Sequence, residues 1–82
     1  MTTFMDVHRG LAAMTEEQLE AAHQADLAIE AEEHVHFKQW WKDEESGAVY
    51  CISDAPSAEA VQRVHERAGH RADEVYRMAI SL

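Results

Sequence analysis

Histidine and aspartate recur in this sequence at spacings that would place their side chains together. The chain contains six histidines among 82 residues, and they are dispersed rather than gathered in one run. Asp6 and His8 lie two positions apart, so on a strand both would point to the same face. His23 and Asp26 lie three positions apart, so on a helix they would be neighbours. A carboxylate beside an imidazole can orient the ring as a base, or the two groups can share a metal ion.

The stretch "HVHF" places His34 and His36 two positions apart. Alternation with Val35 and Phe37 predicts a strand whose apolar side chains point one way and whose histidines point the other. Two imidazoles on one strand face could chelate a transition-metal ion. They could equally face solvent or a partner chain, and the spacing alone does not choose between these roles.

Three further residues have side chains that could take part in chemistry. His65 follows Val64 and lies four positions after Val61, which predicts a place near the inward face of a helix. Cys51 lies in the apolar run "AVYCIS", where a free cysteine is most often an inert core residue. His70, in "GHRADE", is predicted to be a solvated loop residue.

The elements that must position these residues follow a β-α-β-β-α-β order. Thr15 and Gln18 have the form of a capping box, and Gly69 is placed to end the second helix. Strands are predicted over 3–9, 34–41, 48–53 and 72–81, and helices over 16–33 and 58–68. This order predicts an α+β, ferredoxin-like βαββαβ domain over residues 1–82, with a four-stranded antiparallel sheet and both helices on one face.

Composition and net charge limit the kinds of molecule that the chain is expected to bind. The net charge is −9, from 16 acidic and 7 basic residues, and this field repels nucleic acid and anionic lipid while it attracts cations. No apolar run is long enough to cross a membrane, and no secretory signal is visible. With one cysteine, the chain is predicted to be cytoplasmic. A small core makes dimerisation a natural way to bury more apolar area.

Five segments in order carry a resemblance to a known family. They are "MDVH", "AAHQADLAIE", "WWKDEESGAVYCISDAPSAEAV", "VHERAGH" and "ADEV". Together they resemble the small bacterial nickel-binding proteins with a ferredoxin-like fold, over nearly the whole chain. The resemblance implies a homodimer that binds nickel for sequestration or nickel tolerance. The positions that match the family are Asp6, His8, His23, Asp26, Cys51 and His65, whereas His34 and His36 depend on spacing alone.

Our hypothesis from the sequence is therefore a non-enzymatic nickel-binding protein. Its predicted ligands are Asp6, His8, His23, Asp26, His34, His36 and His65. Because neutral imidazole is the ligand, binding should fade below about pH 6.5, the unperturbed histidine pKa.

Two alternatives stay open. One is a small dimeric ferredoxin-like enzyme, of the cofactor-free monooxygenase or isomerase type, with His8 or His23 as general base. An apolar cavity beside those residues would favour catalysis, whereas open surface clusters would favour ion binding. The other is a pH- or ligand-sensing interaction module in which the histidines gate dimer contacts.

Overall fold

The structure, a computed structural model, describes residues 1–79. Its elements are β1 (Thr2–His8), α1 (Glu16–Ile29), a short 3-10 turn (Glu30–Glu33), β2 (His36–Lys42), β3 (Val49–Ala55), α2 (Ala58–Arg67) and β4 (Glu74–Arg77). The four strands form one sheet in the order β2-β3-β1-β4, and every neighbouring pair is antiparallel. The predicted ferredoxin-like α+β fold is therefore confirmed. Neither α-helix within residues 1–79 has the length and apolar character needed to cross a membrane.

The first helix begins where the capping box predicts and ends earlier than predicted. The Thr15 hydroxyl accepts from the Gln18 backbone N–H, and the Gln18 side chain accepts from the Thr15 backbone N–H. The α-helix stops at Ile29 and tightens into the 3-10 turn, where the sequence reads "EAEE". Glutamates at this end face the negative pole of the helix dipole, and no glycine is present to form a C-cap. The prediction of a helix through residue 33 was therefore too long.

The second helix is bounded by a hydroxyl cap and a glycine. Ser57 Oγ accepts from the Ala60 backbone N–H at 3.1 Å. At the other end Gly69 takes a positive φ of 91°, and the two bonds of a Schellman motif follow it. The Gly69 N–H donates to the Glu66 carbonyl, and the His70 N–H donates to the His65 carbonyl. This turn folds His70 back over the end of the helix.

Both helices pack on the same face of the sheet. The buried cluster joins side chains of α1 and α2 to inward residues of the strands: Phe4, Leu19, Val35, Phe37, Val49, Cys51, Ala55, Ala60, Val61 and Val64. The opposite face carries Met5 and Ile52, which are cross-strand partners, and the half-exposed aromatic side chains of Trp41 and Tyr76. Asp6 and His8 point to the helix side and are buried there.

The prediction that His34 and His36 share a face of one strand is wrong. β2 begins at His36, and His34 precedes it with φ of 58° and ψ of 32°, in the left-handed region. His34 occupies this conformation because it ends the 3-10 turn, where its N–H bonds back to the Ala31 carbonyl. The last strand is also shorter than predicted, and the predicted positions 80 and 81 lie outside the described residues.

Gly47 is where we expect a glycine substitution to cost most. Its φ is +76°, and a Cβ there would lie 2.5 Å from Ala12 Cα. We therefore expect Gly47→Ala to lower the free energy of unfolding by about 2 kcal/mol, from backbone strain and steric overlap together. Gly10→Ala is the matched control, because Gly10 has φ of +75° and no atom within 4 Å of such a Cβ. Urea unfolding of the two variants measures the difference, and equal losses would contradict the close approach.

Candidate metal centre

The first strand places a carboxylate and an imidazole side by side under the helices. Asp6 is fully buried, and its Oδ1 lies 3.0 Å from Nε2 of His8. The period of two that predicted a shared face is therefore correct for this pair. Burial of an ionised carboxylate needs compensating positive charge or hydrogen bonds, and these must come from other elements.

The second helix supplies a third residue, His65, which is also fully buried. Its Nε2 lies 3.0 Å from Asp6 Oδ1, and its Nδ1 lies 3.0 Å from Asp26 Oδ1 on α1. An ionised carboxylate only accepts hydrogen bonds, so the proton of this second contact resides on Nδ1. The imidazole thus lies between two carboxylates, and its Nε2 faces Asp6.

His70 belongs to the same cluster, although the sequence analysis treated it as a solvated loop residue. Its Nε2 lies 2.9 Å from Asp26 Oδ1, and its ring centroid lies 5.3 Å from that of His65. The interpretation as a solvated residue was wrong because the Schellman turn after α2 points the side chain inward. The glycine followed by histidine, one helical turn beyond His65, was the sequence feature that could have indicated this.

Several buried polar atoms in this cluster make no hydrogen bond within the described part of the chain. They are both carboxylate oxygens of Asp6 and Nε2 of His65. The contacts of Asp6 with His8 and His65 are short enough for attraction, yet they are not aligned as hydrogen bonds. Unpaired buried groups of this kind are costly and call for an explanation, such as an ion that takes their lone pairs. The donor set therefore fits a divalent ion of borderline softness.

Distances within the cluster would allow an ion to be held by either of two overlapping groups of residues. Ligand atoms of Asp6, His8, Cys51 and His65 lie within 4.8 Å of one another, as do those of Asp26, His65 and His70. Ligands at about 2.0–2.3 Å from a common ion would need such separations. Because His65 belongs to both groups, its two nitrogens connect them.

Proton affinities in the cluster are shifted in opposite directions. Burial lowers the pKa of His65, but the hydrogen bond to Asp26 and the adjacent Asp6 carboxylate outweigh burial and raise it to about 9. Burial raises the pKa of Asp6 and of Asp26, yet the neighbouring imidazoles outweigh it and hold both below the usual aspartate value. Without a metal ion, the cluster is therefore an imidazolium between two carboxylates at neutral pH.

Cys51 lies on β3 beside Asp6 and is buried. Burial and the nearby carboxylates of Asp6 and Asp26 raise the pKa of its thiol well above the ordinary value. A nucleophilic cysteine needs the opposite shift. Cys51 is therefore a neutral thiol in the metal-free protein, as the sequence analysis expected for a core cysteine.

His23 belongs to neither group of candidate ligands, although it lies three residues before Asp26. Its ring lies 6.2 Å from that of Trp40, and it lines a cavity of about 290 Å³. The cavity also meets His8 and Cys51, so it adjoins the candidate metal centre. His34 and His36 are exposed and belong to neither group of candidate ligands, so their metal-binding role stays a prediction.

The chain is similar to known proteins over nearly its whole length. A family model described as "Nickel responsive protein SCO4226-like" matches residues 4–78. The chain is also similar to a solved structure, the crystal structure of SCO4226 from Streptomyces coelicolor A3(2), with 61% identity and a TM-score of 0.93. That match covers 98% of this chain and 99% of the other. The chain matches no curated protein. It belongs to the SCO4226-like family of nickel responsive proteins.

Proposed function

We propose that this protein binds nickel directly and acts in nickel sequestration or detoxification, without catalysing a reaction. The observation that carries the proposal is the buried Asp6 carboxylate, whose two oxygens make no hydrogen bond within residues 1–79. Membership of a nickel responsive family supports it. The acidic net charge, which concentrates cations, and the single buried cysteine fit a cytoplasmic role in metal homeostasis.

The proposed ligands are Asp6, His8 and Nε2 of His65. Asp26 then accepts from Nδ1 of His65 and orients the ring, as an outer carboxylate does for many metal-bound histidines. His70 Nε2 contacts the same Oδ1 oxygen of Asp26. The thiol of Cys51 could join the ligands if the ion displaced its proton to water.

Nickel titration calorimetry of the metal-free protein tests the proposal. We expect saturable binding at pH 8.0 that is lost at pH 5.5, because an ion must displace the proton that His65 holds. Zinc and copper titrations show whether the site prefers nickel. Absence of nickel binding at both pH values would overturn the proposal.

We also propose that the protein is a homodimer, through the sheet face that the helices leave uncovered. Trp41 and Tyr76 are 46% and 48% exposed there, beside Met5 and Ile52. We expect Trp41→Glu to raise the dimer Kd by about 30-fold or more, since interface tryptophans are frequent hot spots. Ala21→Glu, on the exposed side of α1, is the control. Sedimentation equilibrium measures both variants, and a monomeric wild-type protein would overturn this part.

One observation favours the second candidate function, acid–base catalysis. The cavity beside His8 and His23 is largely apolar, which is the geometry that favours an enzyme of the cofactor-free type. His8, next to Asp6, is the better candidate base, because Asp26 is bonded to His65 and His70 rather than to His23. Failure of nickel binding, together with binding of a small apolar compound by the metal-free protein, would favour this function instead.

A further inference from the structure

The cavity beside the candidate metal centre is larger than an ion requires. Its volume is about 290 Å³, whereas a water molecule occupies about 30 Å³ in the liquid. Apolar atoms form most of its lining surface, and the apolar side chains in the wall are Leu11, Met14, Leu19, Ala22, Trp40 and Val49. A passage for a hydrated cation has no need of such a wall. A concave apolar space with a few polar groups at one end is typical of a site for a small organic molecule.

The polar end of the cavity is shared with the candidate metal centre. His8 and Cys51 belong both to the cavity wall and to the group of possible ligands around Asp6. Three protein ligands leave coordination positions open on a nickel ion, which takes more than three nitrogen and oxygen donors. The head group of a molecule in the cavity would therefore lie next to those open positions.

Charge decides which head group fits. Asp6, Asp26 and Asp73 lie at or beside the cavity. The two arginines at its rim are already paired, Arg9 with Glu74 and Arg71 with Glu66. The metal-free cavity therefore offers an anion no net attraction. A bound divalent ion adds positive charge at the polar end, and its open coordination positions are where an anionic oxygen can bind.

We propose that the nickel-loaded protein binds a small apolar monocarboxylate in this cavity. The carboxylate faces the ion at Asp6, His8 and His65, and the apolar body lies against Leu19 and Trp40. The proposal depends on nickel binding at the candidate centre, and it adds a second, organic ligand. Because the two ligands stabilise each other, each raises the affinity of the protein for the other by the same factor.

Calorimetric titration of nickel-loaded and metal-free protein with three probes tests the proposal. The probes are phenylacetate, acetate, which lacks the apolar body, and 2-phenylethanol, which lacks the charge. For the nickel-loaded protein we expect phenylacetate to bind at least about tenfold more tightly than either other probe, since burial of a phenyl ring and the charge contact both contribute. The metal-free protein should bind phenylacetate at least about tenfold more weakly than the loaded form.

Two matched variants locate the probe. Ala22→Phe places a ring in the cavity, whereas Ala21→Phe places the same ring on the exposed side of α1. We expect only Ala22→Phe to weaken phenylacetate binding, by about tenfold or more, while nickel stoichiometry stays unchanged in both. The comparison of probes on the wild-type protein decides the question even if Ala22→Phe does not fold.

The outcomes separate this inference from the proposed function. A wild-type protein that binds nickel, yet binds phenylacetate no better than acetate, overturns the organic site and leaves the metal site standing. Equal phenylacetate binding with and without nickel overturns the coupling to the ion. A protein that binds no nickel overturns both proposals. The site is supported if the nickel-loaded wild-type protein binds phenylacetate preferentially. This preference should be lost in Ala22→Phe and kept in Ala21→Phe.

Discussion

Replacement of Asp6 by asparagine is expected to weaken nickel binding by more than about 100-fold, since loss of an outer partner alone costs about 10–100-fold at other metal sites. The substitution keeps the size and shape of the side chain and removes the charge of a carboxylate that lies beside both His8 and His65. Nickel titration calorimetry at pH 8.0 measures the change. The folded state is checked by circular dichroism on the same sample.

Asp54→Asn is the matched control for this prediction. Asp54 lies on β3 and bonds to Thr3 and Lys38 rather than to the cluster. We expect its nickel affinity to equal that of the wild-type protein. A folded Asp6→Asn variant with wild-type affinity would show that the ion binds elsewhere, and the exposed pair His34 and His36 would then be tested next.

The metal-free protein is expected to lose about 2 kcal/mol of stability between pH 6.0 and pH 8.5. The folded pKa of His65 is raised from 6.5 to about 9, so its contribution is full below about pH 6.5 and is lost as pH rises toward 9. Asp6 and Asp26 act in the opposite sense. Their folded pKa values are lowered, so their contribution is present above the usual aspartate value and is lost only at more acidic pH. Neither aspartate titrates within the interval from pH 6.0 to pH 8.5.

Urea unfolding of metal-free protein at the two pH values measures this loss, with a chelator present throughout. His36→Gln is the control, because His36 is exposed and should leave the pH dependence unchanged. Asp26→Asn removes the carboxylate that bonds to Nδ1 of His65, so it should reduce the pH dependence. Equal stability of the wild-type protein at pH 6.0 and 8.5 would contradict a charged His65.

Features that depend on neighbouring residues were predictable from the sequence. The capping box at Thr15, the stop at Gly69 and the shared face of Asp6 and His8 all involve residues within a few positions of each other. The resulting order of elements was enough to predict the fold. Inward placement of His65 also followed from helical periodicity, because Val61 and Val64 had to face the sheet.

Features that depend on distant residues were not predictable in this way. The contact of His70 with Asp26 joins residues 44 positions apart, so the Gly69–His70 pair could indicate an inward side chain but not its partner. His23 and Asp26 are neighbours on α1 and both line the cavity, yet it is Asp26 that contacts His65 and His70. His34 is left-handed because it ends the 3-10 turn that leads into the sheet. Alternation of apolar and polar residues does not predict such a turn.

The position of the three proposed ligands has a mechanical consequence. Asp6 and His8 lie on the first strand, whereas His65 lies on the last helix, so a bound ion would cross-link the two ends of the fold. An ion that binds only the folded chain adds its binding free energy to the free energy of unfolding. The resistance of the protein to heat or protease would then report the free nickel concentration around it.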